Sequence, residues 1–189
     1  KNYKKIGSSG IIGGISLGIA MICFIWSITH TTAAVTLLML AAMPFMTAIL
    51  GYIFLKEKVS TITFTSIIIA AIGIIFMAFT SRYVGTLFGL AIGLLSSFGF
   101  SIFSVSLRWR KNTPTFTTVA VAGLFCATFS FFVLMFNDTN FFTTFRNSSL
   151  SALHGTLVCS GMILYSIGSK HLPAADLTLL SLTEVLGGI

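Results

Sequence analysis

Acidic residues are nearly missing from this chain. Four Asp and Glu stand against eleven Lys and Arg in 189 positions, and charged residues of both signs make up only 8%. Soluble domains carry roughly a quarter charged residues, so a water-facing globule is excluded. With 56% hydrophobic residues and a mean hydropathy of +1.01, the solvent for most of the chain is lipid. Strand-like alternation is also missing, which leaves helices as the spanning elements. The three cysteines, Cys23, Cys126 and Cys159, lie in apolar runs without CxxC or Cys/His spacing, so neither a disulfide framework nor a metal site is expected. There is no HExxH and no GxSxG, and no second carboxylate accompanies Glu184 at its depth. The constellations of an intramembrane enzyme are therefore wanting, and neither catalysis nor a cofactor is expected.

What is present is a series of apolar runs. A helical span needs about 20 predominantly apolar residues, and six complete runs satisfy this: 10–28, 33–55, 62–79, 85–107, 116–136 and 150–167. A seventh begins near Ala174. The second, with Pro44 inside it, ends at the charged stop Lys56-Glu57-Lys58. The expected class is an all-α membrane protein, a polytopic helical bundle whose partner is the lipid bilayer and not a nucleic acid. The net charge of +7 resides in short clusters between runs and reads as topology. With the N-terminal end cytoplasmic, nine of the eleven basic residues fall on that side. Only Arg82 and Arg146 fall on the other. Trp26, Tyr83 and Trp109 stand near helix ends, as interfacial aromatics do. The polar stretch 137–149 reads as the longest external loop and contains the sequon Asn147-Ser148-Ser149.

Small residues recur every fourth position at Gly10, Gly14 and Gly18, and again at Gly85, Gly89, Gly93, Ser97 and Ser101. Such stripes let helices approach closely where the hydrophobic effect no longer drives association, and intramolecular packing is the favoured reading. The chain lacks an initiator Met and stops at Gly187-Gly188-Ile189 part-way through an apolar stretch. A fragment of a longer protein is expected.

One hairpin returns near the end of the chain. A constant shift pairs Gly14 with Gly155, Met21 with Met162, His30 with His171, Ala33 with Ala174, Ala34 with Ala175 and Leu38 with Leu179. Five crossings separate the copies, so they point in opposite directions. Inverted repeats of this kind characterise secondary transporters, whose substrate site lies near the midplane between the halves.

The run Ala33-Ala34 through Met43-Pro44-Phe45, then Leu55-Lys56-Glu57-Lys58, then Ala71-Ile72-Gly73-Ile74-Ile75 resembles the EamA domain of the drug/metabolite transporter superfamily. The start of a second copy at Gly89-Leu90-Ala91-Ile92-Gly93-Leu94-Leu95 and the hairpin ending Leu182-Thr183-Glu184-Val185 are similar to it too. The resemblance implies two inverted five-helix repeats, ten helices when complete, with residues 1–80 the last three helices of the first and 81–189 the second, cut in its fourth helix. It implies a transporter of a small metabolite or drug-like solute, moved outward across a bacterial cytoplasmic (inner) membrane by alternating access. Proton coupling and facilitated exchange are both open, as is an oligomer. A sugar-phosphate or nucleotide-sugar exchanger of the same superfamily and a non-transporting scaffold subunit are the alternatives. The former would be favoured by basic residues inside the spans, and there are none. Where the family often reads Glu-Pro, this chain reads Glu184-Val185, which puts a proline-dependent kink there in doubt.

Glu184 is the sharpest candidate residue, roughly 16 Å into the membrane at 1.5 Å per residue. An ionisable group at that depth is costly unless protonated, paired or wetted, so it is expected to bind substrate or carry a coupling proton. Pro44 frees a backbone carbonyl within the second run. Thr36 and Met39 precede it, and Thr178 and Ser181 occupy similar positions in the second copy; all four are candidates for lining the pathway. Trp26 and Tyr165 offer aromatic surfaces, and His154 is a deeper histidine than His30 or His171. Glu57, flanked by Lys56 and Lys58 at the interface, reads as structural.

Overall fold

The computed structural model describes residues 7–80, 86–109, 114–136 and 144–183. The expected runs are helices: α1 (Gly7–His30), α2 (Ala33–Leu40), α3 (Met43–Leu50), α4 (Thr61–Thr80), α5 (Leu87–Trp109), α6 (Thr115–Phe136), α7 (Phe145–Gly168) and α8 (Ala174–Leu180). Among the described residues no strand is found. Among the described residues five stretches are long and apolar enough to cross a membrane: Gly7–His30, Ala33–Leu55, Leu87–Trp109, Phe116–Phe136 and Phe145–Gly168. The architecture is thus a polytopic helical bundle. Large apolar side chains such as Ile69, Phe132 and Leu164 stand on its outside, suited to lipid.

The glycine stripes position the helices. A Cβ on Gly14 would lie 2.8 Å from the Thr118 carbonyl oxygen on α6, and one on Gly99 would lie 3.0 Å from the Ser16 carbonyl on α1. α1 is therefore clasped between α5 and α6 at distances that only hydrogen at Cα permits. Leu17, Phe103, Leu107 and Ala122 form the apolar centre of this clasp, and Met162 and Tyr165 of α7 pack against it. The members of the second stripe that are described, Gly89, Gly93, Ser97 and Ser101, face α1 and α2–α3, as helix-packing residues should. Gly85, like Tyr83 and Arg82, lies outside the described residues.

Two boundaries differ from the sequence reading. α7 begins at Phe145, so the sequon at Asn147 lies in a helical first turn and not in a loop. The second span is not one continuous helix either. It breaks at Ala41–Ala42, and Pro44 sits in the first turn of α3, where a missing N–H costs nothing.

Candidate functional site

The break is held open by α5. Ser97 Oγ donates to the Met39 carbonyl at 2.6 Å, and Ser101 Oγ donates to the Met43 carbonyl at 3.2 Å. Carbonyls bracketing the interruption are thereby satisfied without water, the condition for irregular backbone at membrane depth. Pro44 itself is buried. α8 is interrupted as well: it starts at Ala174 and ends at Leu180, with Ser181 as its C-cap. At the register that pairs Ala33 with Ala174, Leu40 at the end of α2 falls on Ser181. The two short helices therefore stop within one residue of each other in that register, and the second does so without a proline.

The expected site residues separate into groups. Thr36 is fully buried and joins Ser27 Oγ and Thr31 Oγ1, each at 2.9 Å, while Ser27 Oγ donates to the Gly89 carbonyl. Met39 packs where a Gly93 side chain would stand. Thr178 is fully buried and donates back to the carbonyls of its own first turn; Ser181 Oγ donates to the Thr178 carbonyl. Tyr165 shares a 2.7 Å hydrogen bond with Ser104 and lies among Phe100 and Phe103. Trp26 is 44% exposed, edge-on to Phe129, and His154 is exposed on α7. Glu184 lies outside the described residues. Thr36 and Met39 meet beside the α5 stripe, whereas Trp26 and His154 are turned outward from it.

Sequence reasoning passed over a second constellation, at the end of the bundle that carries Lys56, Arg108 and Lys170. After α3 the chain widens into one π-helical turn, Gly51–Leu55, closed by Lys56 in the left-handed region at φ 54°. The wide turn folds Glu57 back over Gly51, where a Cβ would come 3.9 Å from Glu57 Oε2. Glu57 Oε1 accepts from Arg108 Nε at 2.8 Å and NH2 at 2.6 Å. Its Oε2 accepts from the Ala174 N–H at 3.3 Å, and Arg108 NH1 donates to the Ser169 carbonyl at 3.2 Å. One carboxylate thus ties the α3–α4 turn to the ends of α5 and α8. Alongside it, Thr63 Oγ1 of α4 donates to Asp176 Oδ1 of α8 at 2.5 Å. The available signal was topological: Glu57 and Arg108 fall on the same side of the membrane in the charge count.

A bundle of this kind, with two short helices ending within one residue of each other in the repeat register, is what the resemblance to transporters leads one to expect. Over residues 1–79 the chain matches the EamA-like transporter family. Along most of its length it is similar to the uncharacterized transporter YojE of Bacillus subtilis (strain 168). The two are 24% identical over 183 residues, which cover 92% of this chain and 58% of the relative. The chain thus spans somewhat under three-fifths of that relative's length. No solved structure matches. The EamA-like match includes α1 to α3 and the Lys56-Glu57-Lys58 stop, so the interrupted helix and Glu57 lie inside the matched region.

Proposed function

We propose that the chain is part of a secondary transporter of a small metabolite or drug-like solute, working by alternating access between two inverted repeats, residues 1–80 and 81–189. The observation that carries this is the pair of short helices that end within one residue of each other in the repeat register, α2 at Leu40 and α8 at Leu180. Interrupted hydrophobic segments at corresponding places in two halves are the usual mark of a transporter's binding region. The match to EamA-like transporters and the name of the Bacillus relative support the same class.

In this reading Thr36, Met39 and Pro44 from one half, and Thr178, Ser181 and Glu184 from the other, border the solute path near the midplane. The Glu57–Arg108 pair and the Thr63–Asp176 bond close the bundle at its basic end. That end faces the cytoplasm if the positive-inside rule holds, and outward movement is the direction the resemblance implies.

Reconstitution into liposomes loaded with a panel of radiolabelled amino acids, nucleosides and cationic drugs tests this. Solute-selective efflux above protein-free liposomes is the expected result, with Glu184→Gln reducing it or altering its pH dependence. Flux of no solute in the panel would favour a scaffold subunit, and full activity with unchanged pH dependence in Glu184→Gln would remove Glu184 from the mechanism.

A further inference from the structure

The register that pairs Gly14 with Gly155 lays α7 over α1, and the two helices have very different surroundings. Ten residues of α1 are buried, because α5 and α6 clasp it from two sides. Of their ten counterparts on α7, eight are exposed and none is buried. The small side chains are nonetheless kept: Gly10, Gly14, Gly18 and Ala20 correspond to Ser151, Gly155, Cys159 and Gly161. A Cβ on Gly14 would strike Val121 and the Thr118 carbonyl, and one on Gly18 would lie 2.7 Å from Phe125 Cδ1, whereas nothing lies within 4 Å of one on Gly155 or Gly161. Among the described residues no helix covers this face of α7. The remaining stretches of the chain, none longer than seven residues, are too short to supply one.

Lipid suits this face poorly. His154, the counterpart of Gly13, is exposed and makes no hydrogen bond among the described residues. It stands nine residues beyond Phe145, roughly 14 Å along the helix at 1.5 Å per residue, near the middle of a hydrocarbon layer about 30 Å thick. A polar ring there is costly unless protein or water meets it. The adjoining face is different. α1 turns Ile12, Ile15 and Ile19 outward, and their counterparts are Leu153, Thr156 and Ser160. The Thr156 and Ser160 hydroxyls donate to the Leu153 and Thr156 carbonyls of their own helix, so this side can meet lipid with its polar groups satisfied.

We propose that the face of α7 bearing Ser151, His154, Gly155, Cys159 and Gly161 is the seat of two further transmembrane helices from outside residues 1–189 of a longer protein, related to α5 and α6 as α7 is related to α1. The proposal rests on the inverted-repeat reading and names the surface that joins the halves a second time. The Bacillus relative has the length for such a pair, since the match leaves more than two-fifths of it uncovered. A second copy of residues 1–189 does not, because its own α1 already occupies its α5 and α6. The equivalence also gives the chemistry of the pair. One helix offers a hydroxyl to the Gly161 carbonyl, as Ser96 Oγ donates to the Ala20 carbonyl at 2.7 Å. The other lays branched or aromatic side chains over Gly155 and Cys159, as Val121 and Phe125 lie over Gly14 and Gly18. Opposite His154, which is bulkier than Gly13, the pair presents a small residue and a hydroxyl or carbonyl for the ring.

The test places the photoreactive amino acid p-benzoylphenylalanine at Leu157 or at Leu153 in the protein expressed from its full reading frame. Both leucines are exposed on α7, at 64% and 56%. Leu157 is the counterpart of buried Ser16 and Leu153 that of outward Ile12. After irradiation in native membranes, adducts are located by mass spectrometry of proteolytic peptides. The probe at Leu157 should join peptides of the same chain from outside residues 1–189, and the probe at Leu153 should join lipid. Lipid adducts alone at Leu157, adducts to a second copy, or the same products at both positions overturn the docking. A second measurement needs no probe. Gly155→Leu should lower the Tm of the complete protein in detergent by roughly 2–6 °C through overpacking, and Gly123→Leu, on an open face of α6, should shift it by less than about 1 °C. Equal shifts at the two glycines also overturn the docking. Solute flux is read separately: transport with lipid-only adducts removes the docked pair and leaves the transporter, and peptide adducts in a protein that moves no solute do the reverse.

Discussion

Glu57 shows how one side chain can be read correctly in kind and still be underestimated. Its neighbours Lys56 and Lys58 suggest local neutralisation, yet the guanidinium that meets it comes from Arg108, 51 residues on. The two side chains are 24% and 16% exposed, so the pair lies between a surface bridge and a buried one. Surface pairs are worth about 0–1 kcal/mol and the loss of one buried partner about 3–5 kcal/mol. Glu57→Gln is therefore expected to destabilise the protein by about 1–3 kcal/mol, read as a lower Tm in detergent. Adding Arg108→Gln to it should cost less than the sum of the two single changes, because no unpaired charge then remains.

At the scale of elements, the glycines provide a graded test of packing. A Cβ at Gly14 would come within 2.6 Å of Val121 Cγ1, as well as close to the Thr118 carbonyl; Gly93 would meet Ser27 Oγ at 2.9 Å and Met39 Cβ at 3.0 Å. Gly123, Gly155 and Gly161 have nothing within 4 Å. Gly14→Ala and Gly93→Ala should each cost about 1–3 kcal/mol through overpacking. Gly123→Ala should be neutral or stabilising by up to about 1 kcal/mol, the difference in helix propensity. Equal effects at Gly14 and Gly123 would refute the close α1–α6 approach.

The helix runs themselves were legible in the sequence, because in a chain this poor in charge the length of an apolar run nearly determines a span. The packing stripes were legible for a related reason: spacing by four is a property of one helix face. The interruption at Ala41–Ala42 was not. Pro44 advertises a kink, but the backbone parts two residues earlier, and what stabilises the parting is a pair of serines from α5 some 58 residues away. Likewise Thr63 and Asp176 are ordinary in isolation. Only the fold brings Thr63 to Asp176 across 113 residues, and no local pattern carries that information.

For the whole molecule, the structure places Lys58 and Arg108 at one end of the bundle and His30 and Thr86 at the other, where the Thr86 hydroxyl donates to the His30 carbonyl. In a background freed of Cys23, Cys126 and Cys159, single cysteines at Lys58 and Lys170 should react with an impermeant thiol reagent from the same face of sealed vesicles. A cysteine at Thr86 should react only from the opposite face. Labelling of Lys58 and Thr86 positions from one side would contradict the crossing of α4, the helix that lies between them in the chain. If the face shared by Lys58 and Lys170 is the cytoplasmic one, the charge asymmetry of the loops has its usual meaning.

The carboxylate of Glu57 spends one oxygen on Arg108 and the other on the first N–H of α8. Its two grips cannot be released in sequence by rotating one torsion, since both oxygens turn together. Moving either α5 or α8 away from the turn thus disturbs the same carboxylate, and the two helices are mechanically linked through a single side chain.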